Sequence, residues 1–173
     1  KTYIRSDHRA SQNSEDTINV KTGATVKNAE IQTYGGEDTL NVDGSIINPN
    51  VDMGECNDTV SISKNASIDG NSTIDGGAGF DTLKVADGSI DFSRVKNFEK
   101  LDLTNGERTE ITLRASDVLN MTDSHNKLRI DGDGNDKLNL SGFNQSSARA
   151  VGTDYTEYTS TDGTVKIEVK NDI

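Results

Sequence analysis

The chain has 173 residues and a net charge of −11, with 29 acidic against 18 basic side chains, 31% hydrophobic and 5% aromatic residues, no Trp and one Pro. Such an acidic chain disfavours nucleic acid and anionic membranes as partners, because their phosphates select Lys and Arg. The apolar content is thin for a conventional globule of one or two domains, but its regular alternation argues against disorder and for a fold that buries one short apolar row per strand.

The first element is Asp16-Thr17-Ile18-Asn19-Val20. Its Asp-Thr-apolar-x-apolar pattern returns as Asp38-Thr39-Leu40-Asn41-Val42, Asp58-Thr59-Val60-Ser61-Ile62 and Asp81-Thr82-Leu83-Lys84-Val85, at spacings of 22, 20 and 23 residues. A period near 20 residues marks a solenoid. In each copy the aspartate closes a corner, and the next strand sends alternate apolar side chains inward, as with Leu40 and Val42 or Leu83 and Val85. A second corner follows, often Asp-Gly or Asn-rich (Asp43-Gly44, Asp69-Gly70, Asp87-Gly88). A second short strand is predicted after it, over 26–31, 46–51, 68–74 and 90–95. Stacked at about 4.8 Å per layer, four coils make a rod only about 20 Å long, whose thin core and open ends need caps or neighbours.

The turns before the aspartates differ. Gly76-Gly77-Ala78-Gly79-Phe80-Asp81-Thr82-Leu83 is a complete G-G-x-G-x-D-x-U nonapeptide core. Its glycines permit positive φ and expose carbonyls, and its aspartate adds a hard anionic oxygen suited to Ca²⁺. Gly35-Gly36-Glu37-Asp38 has lost one position, Gly54-Glu55-Cys56-Asn57-Asp58 has Cys56 in the last glycine's place, and Ser14-Glu15-Asp16 keeps almost nothing. At Asp16 and Asp38 the expected role is an Asx turn, the carboxylate accepting backbone N–H groups. Cys56 is the only cysteine, so no intrachain disulfide forms, and it reads as a small residue tolerated in a degenerate turn.

After residue 92 the character changes, which divides the chain into solenoid repeats (1–92) and a β-rich capping region (93–173). Residues 95–104 read as another strand pair, with Phe98 packed on the solenoid. Residues 112–121 are the one helix candidate, capped by Ser116 or starting at Arg114, with Leu113, Val118, Leu119 and Met121 toward the core. A strand over 127–130 enters the corner Gly132-Asp133-Gly134-Asn135-Asp136, and Asp136-Lys137-Leu138-Asn139-Leu140 is a fifth, more distant copy of the repeat. Residues 155–169 read as a hairpin turning at Asp162-Gly163, with Tyr155 and Tyr158 as a cross-strand pair. The predicted fold is all-β: a parallel β-solenoid, β-roll or β-helix-like, with about 20–23 residues per coil, capped by a short helix and an antiparallel hairpin.

The stretch Asn97-Phe98-Glu99-Lys100-Leu101-Asp102-Leu103-Thr104-Asn105-Gly106, then Ile111-Thr112-Leu113, Asp117-Val118-Leu119-Asn120-Met121-Thr122-Asp123-Ser124, the 132–140 turn and strand, and 155–169 together resemble the C-terminal region of very large RTX-type, type I-secreted bacterial repeat proteins. With the 76–83 nonapeptide the resemblance covers roughly the last hundred residues, while the first seventy-five match only through the period. It implies a surface adhesin, an S-layer subunit or a toxin, whose C-terminal β-rolls bind Ca²⁺ outside the cell, fold there and help secretion. Carried onto matching positions, it implies Ca²⁺ ligands at Asp81 with Gly77 and Gly79, and at Asp136 with Gly132 and Gly134. Asp58 and Asp38, the neighbours in stacking order, complete the first site. The nonapeptide does not recur every nine residues as in the family's tandem arrays, so isolated sites are expected rather than a continuous ladder.

Enzyme signatures are missing: there is neither H-E-x-x-H nor G-x-S-x-G,. His8 and His125 sit in polar, loop-like contexts and read as surface residues. Asp131-x-Asp133-x-Asn135 opens like an EF-hand loop, but its sixth position is Asp136 and its twelfth Gly142, so that reading fails,. A glycan-processing β-helix enzyme is the weaker alternative, since a sugar groove wants exposed aromatics and the chain has four Tyr and four Phe. No stretch of 18 apolar residues exists to span a membrane. The chain begins at Lys1 rather than Met, as expected of a piece of a longer protein. The functional expectation is a non-catalytic, calcium-binding solenoid module of a secreted, cell-surface bacterial repeat protein of adhesin type. Its partners would be calcium and other modules of the same parent chain or like subunits, with a calcium-dependent, self-assembling S-layer domain as the alternative.

Overall fold

The structure, a computed structural model, describes residues 2–6, 13–69 and 71–173. His8 and Gly70, named above, lie outside the described residues. Nearly half of the chain (48%) is strand, wound as a β-solenoid of about 6 turns.

Each early coil has three strands rather than the two read from the sequence. The first holds β1 (Thr2–Arg5), β2 (Thr17–Val20) and β3 (Thr25–Lys27). The second holds β4 (Ala29–Gln32), β5 (Thr39–Val42) and β6 (Ser45–Ile47), and the third β7 (Asn50–Asp52), β8 (Thr59–Ile62) and β9 (Ser67–Ile68). The predicted second strand is broken at Asn28 (φ 52°) and Asn48 (φ 49°). Asn tolerates this left-handed conformation, which turns the chain sharply enough to begin a new side. Stacked asparagines brace that corner, with Asn48 Nδ2 donating to Asn28 Oδ1 at 3.3 Å.

The fourth coil holds β10 (Thr73–Asp75) and β11 (Thr82–Val85), but its third side is not a strand. A 3₁₀ turn at Phe92–Arg94, capped by the Asp91 carboxylate on the Ser93 N–H, replaces most of the strand predicted over 90–95. Then come β12 (Val95–Lys96), β13 (Lys100–Asp102), β14 (Glu110–Arg114), α1 (Ala115–Met121), β15 (Lys127–Asp131), β16 (Lys137–Ser141), β17 (Phe143–Val151), β18 (Tyr155–Ser160) and β19 (Lys166–Lys170). Among the described residues the sheet orders are β1-β4-β7-β10-β12, β3-β6-β9, β14-β16 and, on the longest side, β17-β18-β19-β15-β13-β11-β8-β5-β2. Every pairing is parallel except β17–β18 and β18–β19. The longest sheet crosses residue 92 without a break.

Register explains the repeat. Leu40, Val60, Leu83 and Leu101 stack in one inward column, and Val42, Ile62 and Val85 in the next. These side chains are almost wholly buried in one continuous core. Phe98 is fully buried, as expected.

The terminal elements close the stack. The helix packs on the 3₁₀ turn and β12, and the Phe98 N–H donates to the Met121 carbonyl at 2.7 Å. Its start is set by Arg114, whose backbone N–H donates to the Asp117 carboxylate at 2.9 Å, not by Ser116. Val118 and Met121 face the core, but Leu119 stands 47% exposed because it lies on the opposite face. The expected hairpin is present, with Asp162 accepting from the Thr164 N–H in the turn and Gly163 at φ 77°. Tyr155 and Tyr158 do not face each other across it: their partners on β19 are Lys170 and Ile167.

Candidate metal centre

The corner aspartates form a column. The Asp16 N–H donates to Asp38 Oδ1, the Asp38 N–H to Asp58 Oδ1 and the Asp58 N–H to Asp81 Oδ1, each at 2.7 Å. The Asp81 N–H then donates to Glu99 Oε2 at 2.9 Å. Each carboxylate therefore ties its own coil to the one before. At Asp38 this departs from the Asx-turn expectation, since the amide it accepts lies 22 residues back rather than in its own turn. Glu99 carries no Asp-Thr signature, but Lys100 and Leu101 fall in register with Thr82 and Leu83 and so place it in the aspartate slot.

The glycines serve the same close stacking. Gly77 has φ 97°, and a Cβ there would overlap the Gly54 carbonyl; a Cβ on Gly79 would overlap the Cys56 carbonyl. Cys56, whose neighbours in the column are Gly36 and Gly79, holds φ 87° without being glycine.

Asp58 (1% exposed) and Asp81 (0%) each have a second oxygen, Oδ2, that is buried and meets no donor among the described residues. A buried carboxylate oxygen without a donor demands a cation or a proton. Burial, with the charges of Asp81, Asp38 and Glu37 around it, pushes Asp58 up to about 8. Burial, with Glu99 and Asp75, pushes Asp81 up to about 7. Burial and the Asp123 charge raise Glu99 as well.

These features bear on which residues suit Ca²⁺, which takes about 6–8 oxygens. Asp58 and Asp81 fit as carboxylate donors through Oδ2. Among the described residues no three His, Cys, Asp or Glu side chains converge on one point, so the other ligands would be backbone carbonyls of the stacked turns at 54–56 and 77–79. Those of Gly54 and Ala78 each already accept one amide at 2.8 Å and retain a second lone pair,.

The other expected corner is built differently. Asp136 accepts the Thr109 N–H on Oδ1 at 3.0 Å and the Asp133 N–H on Oδ2 at 2.8 Å, so both oxygens are satisfied by the protein itself. A Cβ on Gly132 would meet the Ile173 side chain and Asp136, whereas one on Gly134 would make only an ordinary contact with the Asp172 carbonyl at 3.7 Å. The fifth repeat copy also does not stack on the fourth: β16 pairs with β14, which places Asp136 outside the Asp58–Asp81 column. His125 is exposed, with Nδ1 2.5 Å from Asp123 Oδ2, and that carboxylate raises its pKa.

The chain matches no family model, and no curated protein or solved structure is significantly similar to it.

Proposed function

We propose that this chain is a non-catalytic, calcium-stabilised β-solenoid module of a secreted bacterial surface protein of adhesin type, serving extracellular folding and capping. The carrying observation is the pair of buried, donor-less oxygens on Asp58 and Asp81, aligned one coil apart inside a hydrogen-bonded column. A divalent cation there would neutralise two carboxylates that folding otherwise isolates from water. The resemblance of 76–83, of segments within 97–140 and of 155–169 to RTX-type proteins supports the extracellular setting, where calcium is abundant and ligand binding adds directly to folding stability.

The test is a Ca²⁺ titration of protein stripped with EDTA, followed by circular dichroism, thermal melting and light scattering, with Mg²⁺ as the control. The expected result is a monomer whose melting temperature climbs with Ca²⁺ and barely with Mg²⁺, by about 2.7 kcal/mol of stability at a hundredfold excess over Kd. Identical melts in Ca²⁺ and EDTA overturn the calcium assignment. Calcium-driven growth of large particles overturns the monomeric module in favour of a lattice subunit.

A further inference from the structure

Where the corner before β11 meets β15 and β19, Phe80, Glu99, Asp123 and His125 line a cleft of about 420 Å³. That volume lies within the range of small-ligand sites, about 300–1,000 Å³.

Phe80 is the unusual member. The residue is 48% exposed, and the solenoid does not require an aromatic there. The residues before the corner aspartates in the two preceding coils are Glu37 and Asn57, and in the following coil Phe98 turns fully into the core. The backbone at Phe80 is nonetheless fixed, since its N–H donates to Asn57 Oδ1 at 2.8 Å. The corner therefore holds a half-exposed aromatic residue in the lining of a cleft, on backbone hydrogen-bonded to the preceding coil.

The polar lining is nearly balanced in charge, in a chain of net charge −11. Lys127 and Arg129 project into the cleft beside Glu168, at 2.6 Å and 2.9 Å from its two oxygens. Asp123 Oδ2 lies 2.5 Å from His125 Nδ1, an ion pair when the imidazole is protonated. An anion entering here meets three carboxylates, and a cation meets an ammonium and a guanidinium. A neutral ligand with many hydroxyls suffers neither repulsion. Each hydroxyl both donates and accepts, so it can bond a carboxylate on one side and a guanidinium, ammonium or imidazole on the other, through charge-assisted contacts. One apolar C–H face is needed as well, to cover the exposed ring.

We infer that this cleft binds a neutral hexopyranose unit of a glycan, with the Phe80 ring as the stacking face and Glu99, Asp123, His125, Lys127 and Arg129 as hydroxyl partners. The site stands whether or not calcium occupies the Asp58–Asp81 column.

The test is an amide-shift titration of nitrogen-15-labelled protein with the methyl glycosides of glucose, galactose and mannose and with neutral disaccharides built from them. Saturable millimolar binding is expected, with shifts concentrated at Gly79, Phe80, Glu99 and 123–129. Phe80→Ala should bind roughly tenfold more weakly, and Phe80→Trp should retain binding. His125→Ala alters a side chain that is 83% exposed and should weaken binding severalfold without disturbing the fold, so the inference remains testable if Phe80→Ala is unstable. Three results would overturn it: no saturable shift with any neutral glycoside, unchanged affinity in the folded variants, or tighter binding of glucuronate than of glucose.

Discussion

Raising the pH should destabilise this protein in the absence of calcium, and the column at Asp58 and Asp81 sets the size of the effect. The folded-state values near 8 and 7 lie well above the ordinary aspartate value of 3.8 that holds in the unfolded chain. Between about pH 4 and pH 7 the folded state therefore carries protons that the unfolded state has released, and stability falls as pH rises. It levels off above about pH 8, where both carboxyls are ionised in both states. The slope is about 1.4 kcal/mol per pH unit for each group. From pH 5 to pH 7 that removes about 3 kcal/mol for one group and at most about twice that for both, a large share of the 5–15 kcal/mol typical of a folded domain. Carboxylates held low by partners, such as Asp131, Glu168 and Asp162, lose their contribution only in more acid solution and do not mask the trend. The assay is urea denaturation in EDTA at pH 5, 6, 7 and 8, on wild type and on the double variant Asp58→Asn, Asp81→Asn. Asparagine matches the neutral acid in shape and keeps the Oδ1 acceptor for the neighbouring amide, so the variant should show a much flatter profile and should equal or exceed wild type at pH 8. Added Ca²⁺ should flatten or reverse the wild-type slope, since calcium and protons compete for the same oxygens. A wild-type stability that is level or rising over pH 5–8 in EDTA, or an unchanged slope in the double variant, refutes the reasoning.

Cys56→Gly should stabilise by about 0.5–1 kcal/mol, because glycine accepts φ 87° without the steric cost an L side chain bears there,; thermal melting reads this out. Gly77→Ala places a methyl against the Gly54 carbonyl and should cost about 3 kcal/mol or more, seen as a lower urea midpoint or failure to fold,. Glu168→Gln removes the buried negative charge shared by Lys127 and Arg129 and turns one of its two acceptor oxygens into a donor; as both cations are more than two-fifths exposed, the cost should be only about 1 kcal/mol and should shrink in high salt,.

The solenoid was readable because stacking imposes the same demand at the same place in every coil. Asp38, Asp58 and Asp81 must reach the preceding amide, and the Leu40–Val60–Leu83 column must fill the interior, so both patterns survive while the turns drift. The third side was not readable. Asn28 and Asn48 break the predicted strand through backbone conformation, and an asparagine inside an alternating segment announces this only weakly. The aspartate's partner is hidden for a related reason: the local pattern suggests a bond within its own turn, whereas the amide belongs to another coil. Glu99 escaped notice because its longer side chain reaches the same point from a shorter coil, 18 residues after Asp81 rather than 20 or more. At Asp136 the glycine turn resembles the others but the strand lies beside β14, a long-range choice that the turn does not encode. Phe80 is visible as a letter in the motif, but the motif does not encode which way its side chain turns, and it stands half-exposed where Phe98, one coil on, is buried.

The antiparallel step at β18 has a consequence for how copies of this chain behave in a crowd. A parallel stack repeated at constant rise offers its last strand as a template, and like strands can add to it indefinitely, as in a fibril. Reversing direction at β18, with β17 laid outside it, means that a further coil in the parallel sense meets hydrogen-bonding groups spaced for the opposite sense. The hairpin thus works as a polymerisation terminator on that side, and its removal should turn a discrete rod into a nucleus for aggregation.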